Sequence, residues 1–102
     1  MAQRAGSAAP QTLREPDEKT ILFASKLSLT EDKPVHLSYW KDSLTGKVVI
    51  YTDKKSNPAE RVILKNKDEF TSPIVKKYTN KDDAIFCTEN SIYILSNNVK
   101  CM

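Results

Sequence analysis

The stretch Ala84-Ile85-Phe86-Cys87-Thr88-Glu89-Asn90-Ser91-Ile92-Tyr93-Ile94-Leu95-Ser96 decides how this chain is read. Two short runs, 84–88 and 91–96, flank Glu89-Asn90 and carry apolar, β-branched and aromatic side chains. A two-residue connection that includes Asn suits a tight hairpin, so the stretch predicts two antiparallel strands. Just before it, Thr79 to Asp83 reads as a turn. Ile74 to Tyr78 reads as a short edge strand, because Lys76 and Lys77 would discourage further pairing.

Further back, a short helical turn is predicted over Lys67 to Phe70, ended by Pro73. Arg61 to Lys65 reads as a strand in which Val62 and Leu64 oppose Arg61, Ile63 and Lys65. Asp53 to Pro58 is a polar turn, and Lys47 to Thr52 is β-branched and aromatic, hence a strand. Asp42 to Gly46 reads as a hairpin connection with Gly46 free to take positive φ. Val35, Leu37 and Tyr39 share one face of the strand before it, with His36, Ser38 and Trp40 on the other. Glu31 to Pro34 breaks the chain again. Ile21, Phe23, Leu27 and Leu29 alternate with Leu22, Ala24, Lys26 and Ser28, roughly the period of two of a half-buried strand.

About seven short strands spaced by roughly ten residues, with no long helical period, predict an all-β domain, a small barrel or sandwich. Its expected core is Phe23, Leu27, Leu29, Val35, Leu37, Val48, Ile50, Val62, Leu64, Ile85, Ile92 and Ile94. Residues 1–18, MAQRAGSAAPQTLREPDE, stand apart: after Met1 the only large apolar side chain is Leu13. Such a segment has little surface to bury on its own, so it reads as an extended or disordered N-terminal arm ahead of a single β-domain over 19–102.

The chain has 102 residues, which fits one domain. Its mean hydropathy of −0.51 and the lack of any run near the roughly 18 apolar residues of a spanning helix argue against membrane insertion. Met1 to Pro10 holds no apolar run, so no secretory signal is read. Two cysteines, Cys87 and Cys101, fit a reducing compartment better than a disulfide-rich secreted domain. The formal net charge is +3, but the charge is uneven. Residues 41–81 carry ten basic and five acidic side chains, whereas 82–102 set Lys100 against Asp82, Asp83 and Glu89.

Signs of catalysis are missing. Gly6 and Gly46 cannot make a phosphate-cradling loop. His36, Cys87 and Cys101 are too scattered to suggest a metal site. Cys87 lies mid-strand, where cysteine packs as a small hydrophobe. The acidic pairs Glu31-Asp32, Asp68-Glu69 and Asp82-Asp83 fall in predicted turns, where carboxylates are solvated. No catalytic residue, metal or cofactor is therefore expected.

Binding is better supported. Lys54, Lys55, Arg61, Lys65 and Lys67, followed by Lys76 and Lys77, lie near Tyr39, Trp40, Tyr51, Phe70 and Tyr78 in the sequence. A basic face with stacking rings is how small barrels hold single-stranded nucleic acid. Interleaved Asp53, Glu60, Asp68 and Glu69 weaken that case. The leading reading is contact with other protein subunits through the arm, at Leu13 and Arg14, and through exposed strand edges and aromatic residues, at Tyr39, Trp40 and Tyr78.

The stretches Phe70-Thr71-Ser72-Pro73-Ile74-Val75-Lys76-Lys77-Tyr78 and Phe86-Cys87-Thr88-Glu89-Asn90-Ser91-Ile92-Tyr93-Ile94 together resemble small uncharacterised β-rich proteins of large double-stranded DNA viruses and phages. The resemblance implies a minor, capsid-associated structural component of a virus particle, whose arm contacts neighbouring subunits. It also implies a location in the virion; apart from it, the expected location is cytoplasmic. The leading expectation is a non-enzymatic interaction module, and the alternative is a nucleic-acid-binding barrel that uses 54–81.

Overall fold

The computed structural model describes residues 14–102. Their elements run α1 (Glu18–Glu31), β1 (Val35–His36), α2 (Trp40–Thr45), β2 (Val49–Asp53), β3 (Glu60–Asn66), β4 (Glu69–Phe70), β5 (Ile74–Asn80), β6 (Asp83–Thr88), β7 (Ile92–Ser96) and β8 (Lys100–Cys101). The domain is mostly β, with eight strands and two helices among these residues. It is therefore not the all-β domain of about seven strands that the sequence predicted. Residues 1–13 of the expected arm lie outside the described residues, and the chain is already helical from Glu18.

Two four-stranded sheets form, in the orders β1-β7-β6-β5 and β4-β3-β2-β8. The first is the central layer. On one face Ile85, Cys87, Ile92 and Ile94 pack with Ala24 of α1 and with Trp40 and Leu44 of α2. On the other face Ala84, Phe86 and Leu95 pack with Val48, Val99, and Ile50 and Ile63 of the outer sheet. Both faces being covered, every residue of β6 is buried, and the period-two alternation of a half-exposed strand is lost there.

The largest correction is α1, where a strand was expected over 21–29. The side chains that turn inward are Thr20 and Ala24, both fully buried, and the half-buried Leu27, at the i, i+4, i+7 spacing of one helical face. Phe23 adds an edge-to-face contact with Tyr78, ring centres 5.0 Å apart. Residues 17–33 contain neither Gly nor Pro, so nothing breaks the helix until Asp32, which takes a left-handed conformation at φ 56. The expected core members Phe23, Leu29 and Leu37 are exposed, Leu29 at 86%.

Two smaller corrections are also local. The segment expected as a hairpin connection at 42–46 is instead the end of α2, and Gly46 does take positive φ (78) as its helix C-cap. The helical turn expected over 67–70 is a tight turn into β4, in which the Asp68 N–H donates to the Asn66 side-chain oxygen at 2.8 Å. The faces of β3 are inverted relative to expectation. Ile63 is fully buried, while Val62 and Leu64 are half-buried on the outer face. The 84–96 hairpin forms as read, with β6 and β7 antiparallel and the Thr88 N–H donating to the Ser91 carbonyl at 2.8 Å. β5 is an edge strand, as Lys76 and Lys77 suggested.

Candidate functional site

The inner face of the outer sheet is committed to the core, so function is sought on what the sheet leaves open. Register assembles that surface. Val49 lies opposite Leu64, Tyr51 opposite Val62, and Leu64 in turn opposite Phe70. Because side chains alternate along a strand, these residues share the outer face and Ile50 and Ile63 share the inner one. Tyr51 is 40% exposed and Phe70 59%. With Val62, Leu64, Asp53 and Lys67 they line a shallow groove of about 340 Å³. Lys54, Lys55, Thr52 and the exposed Met102 continue it past Tyr51 and Asp53. The result is an apolar centre with two rings and a rim of both charges.

The strand that carries one of the rings is held by Tyr39, the residue just before α2. β4 is only two residues long and bears Phe70. Its Glu69 carboxylate accepts a hydrogen bond from the Tyr39 hydroxyl at 2.7 Å. The Tyr39 ring stacks on Tyr93 at 5.7 Å, and Tyr93 stacks on His36 at 5.2 Å. Burial and the adjacent Glu69 carboxylate push the Tyr39 hydroxyl up to about 12. Tyr39 thus braces the open face from behind.

The other residues singled out from sequence are dispersed. Leu13 lies outside the described residues. Arg14 is engaged within the chain, its guanidinium 2.7 Å from the Asp83 carboxylate. Trp40 is 5% exposed and belongs to the helix-side core. Tyr78 is packed against that same core. Of the basic residues, Lys54, Lys55 and Lys67 border the open face. Lys65 reaches Asp42 at 3.6 Å, on the inner side of β3. Arg61 is exposed, opposite Thr52. On the central sheet Lys76 lies over Tyr78 and Lys77 over Phe86, both at 5.4 Å. The seven cations therefore do not form one face.

No protein family, curated protein or solved structure matches the chain. Among the described residues no group of His, Cys, Asp and Glu could hold a metal ion. No helix among them is long and apolar enough to cross a membrane. Sequence reasoning noted Tyr51 and Phe70 only as neighbours of lysines and assigned Val62 and Leu64 to the core. Three consecutive apolar residues, Val62-Ile63-Leu64, leave the phase of a strand open, so only the pairing partners reveal which side is wet.

Proposed function

We propose that this chain is a non-enzymatic interaction module that binds other protein subunits through the open face of its outer sheet. The observation that carries the reading is the apolar stripe of exposed Tyr51 and Phe70 and half-buried Val62 and Leu64, on a sheet whose other face is packed. An apolar, aromatic centre with a mixed-charge rim is the composition of a protein interface. Covering the part of the two rings that is still exposed would contribute roughly 1 kcal/mol each. The two sheets, stacked face to face, act as the small sandwich that presents this surface. The setting we propose, a minor structural component of a virus particle whose N-terminal arm contacts neighbouring subunits, rests on the resemblance of 70–78 and 86–94.

Single-stranded nucleic acid is the alternative, favoured by Tyr51 and Phe70 beside Lys54, Lys55 and Lys67. It is the weaker reading because Asp53 lies in the groove and Arg61, Lys65, Lys76 and Lys77 lie elsewhere.

The test compares two double variants, Tyr51→Ser/Phe70→Ser and Lys54→Glu/Lys55→Glu, for folding, for incorporation into the assembly that naturally holds the chain, and for binding of a dT20 oligonucleotide. The expected result is that both fold, only the first is lost from the assembly, and neither the wild type nor the variants bind dT20. Normal incorporation of the first variant would overturn the reading. So would dT20 binding that weakens steeply with salt and is lost in the second.

A further inference from the structure

A second group of contacts, on the helix-covered side of the central sheet, gathers around Arg14. Arg14 sits there in contact with Asp82, Asp83 and Trp40. Its Nη1 donates to Asp83 Oδ1 at 2.7 Å and its Nη2 to the Asp82 carbonyl at 2.9 Å. Its guanidinium carbon lies 4.9 Å from the centre of the Trp40 ring. Its own main-chain carbonyl accepts a hydrogen bond from Trp40 Nε1 at 2.6 Å. Side-chain charge, the two-pronged donor geometry, the planar face and the peptide carbonyl of a single arginyl residue are therefore all read. Lysine, a point charge without a plane, would supply the charge and the peptide carbonyl but neither the two-pronged donor geometry nor the planar face.

The seat is made by the fold and not by its occupant. Asp83 is 1% exposed and Trp40 5%. The second Asp83 oxygen, Oδ2, is held by the Asp17 N–H at 2.7 Å and by Thr20 Oγ1 at 2.8 Å. Asn80 Nδ2 donates to Thr20 Oγ1 at 2.9 Å and so braces the Thr20 hydroxyl from behind. Arg14 itself is partly open to solvent, with its side chain 34% exposed. The residues that follow it, Glu15 and Pro16, form one wall of a hollow of about 360 Å³ whose other walls include Ile21, Leu37 and Trp40.

We propose that Asp83, Asp82 and Trp40 form an arginine-binding site which the chain fills with its own Arg14, and that an arginine-bearing peptide segment of a partner binds by displacing it. Arg14 then acts as a resident pseudo-ligand. A competitor must present an arginine with a free peptide carbonyl.

The chain has one tryptophan, so Trp40 fluorescence reports on the site directly. The probes are N-acetyl-arginine-N-methylamide and its lysine counterpart, at equal ionic strength, titrated into the full-length wild type, Arg14→Ala and Arg14→Lys. The expected result is a saturable change in Arg14→Ala with blocked arginine, at least about tenfold tighter than with blocked lysine and at least about tenfold tighter than in the wild type, where the resident residue competes. Should Arg14→Ala not fold, the same titration on Arg14→Lys decides the matter. An absent response, equal responses to the two probes, or equal affinity in wild type and variant would each overturn the proposal.

Discussion

The Asp83 carboxylate, at the first residue of β6, accepts a hydrogen bond at 2.7 Å from the main-chain N–H of Asp17, the residue that caps α1. Asp17 makes no capping bond with its own side chain, which instead accepts from Asn80 Nδ2 at 3.0 Å. The start of the helix is therefore satisfied by the sheet beneath it. Sixty-six residues of sequence separate donor and acceptor, so the bond ties helix docking to completion of the β5–β6 turn.

That bond makes stability depend on acid. Burial alone would push the Asp83 carboxyl up. The Asp17 N–H, Arg14, the Thr20 hydroxyl and the guanidinium charge together outweigh it and hold the carboxyl below its ordinary value of 3.8. The Asp17 and Asp82 carboxylates are the nearby like charges. A native value lower than the unfolded one means that the contribution is fully present above about pH 4 and is lost as pH falls through the native value. Melting curves from pH 7 to pH 2.5 should show this loss in the wild type. Asp83→Asn should be about 1.5–3 kcal/mol less stable at pH 7 and should show a flatter acid limb. Parallel acid limbs in the two proteins would remove Asp83 from the account.

Packing separates the helix from the strand expected over the same residues. Leu29 is 86% exposed, and its truncation to Ala should change stability by no more than about 0.5 kcal/mol. Ile63 is fully buried between the sheets, and Ile63→Ala should cost about 2–5 kcal/mol. Chemical denaturation of the two variants checks both values. A large loss at Leu29 with little at Ile63 would mean that both faces are assigned backwards.

These elements also show what the sequence made legible. The 84–96 hairpin, the β5 edge and the turn at 53–58 rest on local signals: a two-residue connection, paired lysines, a polar cluster. They were readable because the interactions that fix them lie within a few residues. The helix α1 was hidden because its inward face uses Thr20 and Ala24, which carry little apolar signal, while Ile21, Leu22 and Leu29 point outward. The open face of the outer sheet was hidden by the phase ambiguity of Val62-Ile63-Leu64. The arginine seat joins positions 14, 40 and 83, a relation no local pattern carries.

The two thiols should behave oppositely. Cys87 is buried mid-strand, and burial pushes its thiol up despite the opposing charge of Lys33. Cys101 is exposed. A disulfide reagent such as DTNB at pH 8 should label one cysteine at once and the second only on unfolding. Cys101→Ser should leave no fast-reacting thiol in the native protein. Rapid labelling of that variant would show that the helix side of the central sheet opens readily.

The Tyr39–Glu69 bond gives the last prediction, at the alkaline end. Its hydroxyl, displaced to about 12 by burial and by the Glu69 carboxylate, stays protonated in the folded chain after a free tyrosine would have ionised near 10. The unfolded state thus loses this proton first. Stability linked to Tyr39 is complete below about pH 10 and falls as pH rises through the native value. Absorbance at 295 nm should show one of the four tyrosines ionising late, near pH 12, and Tyr39→Phe should remove that late step. The substituted ring can still stack on Tyr93, so the core should survive, with a cost of about 1 kcal/mol for the lost hydrogen bond. What Tyr39→Phe does release is β4, held across the two sheets at Glu69. Amide exchange at Glu69 and Phe70 should therefore quicken in the variant while exchange in β6 is unchanged. Equal exchange at Phe70 in both proteins would mean that β4, and the ring it presents on the open face, is held by its pairing to β3 alone.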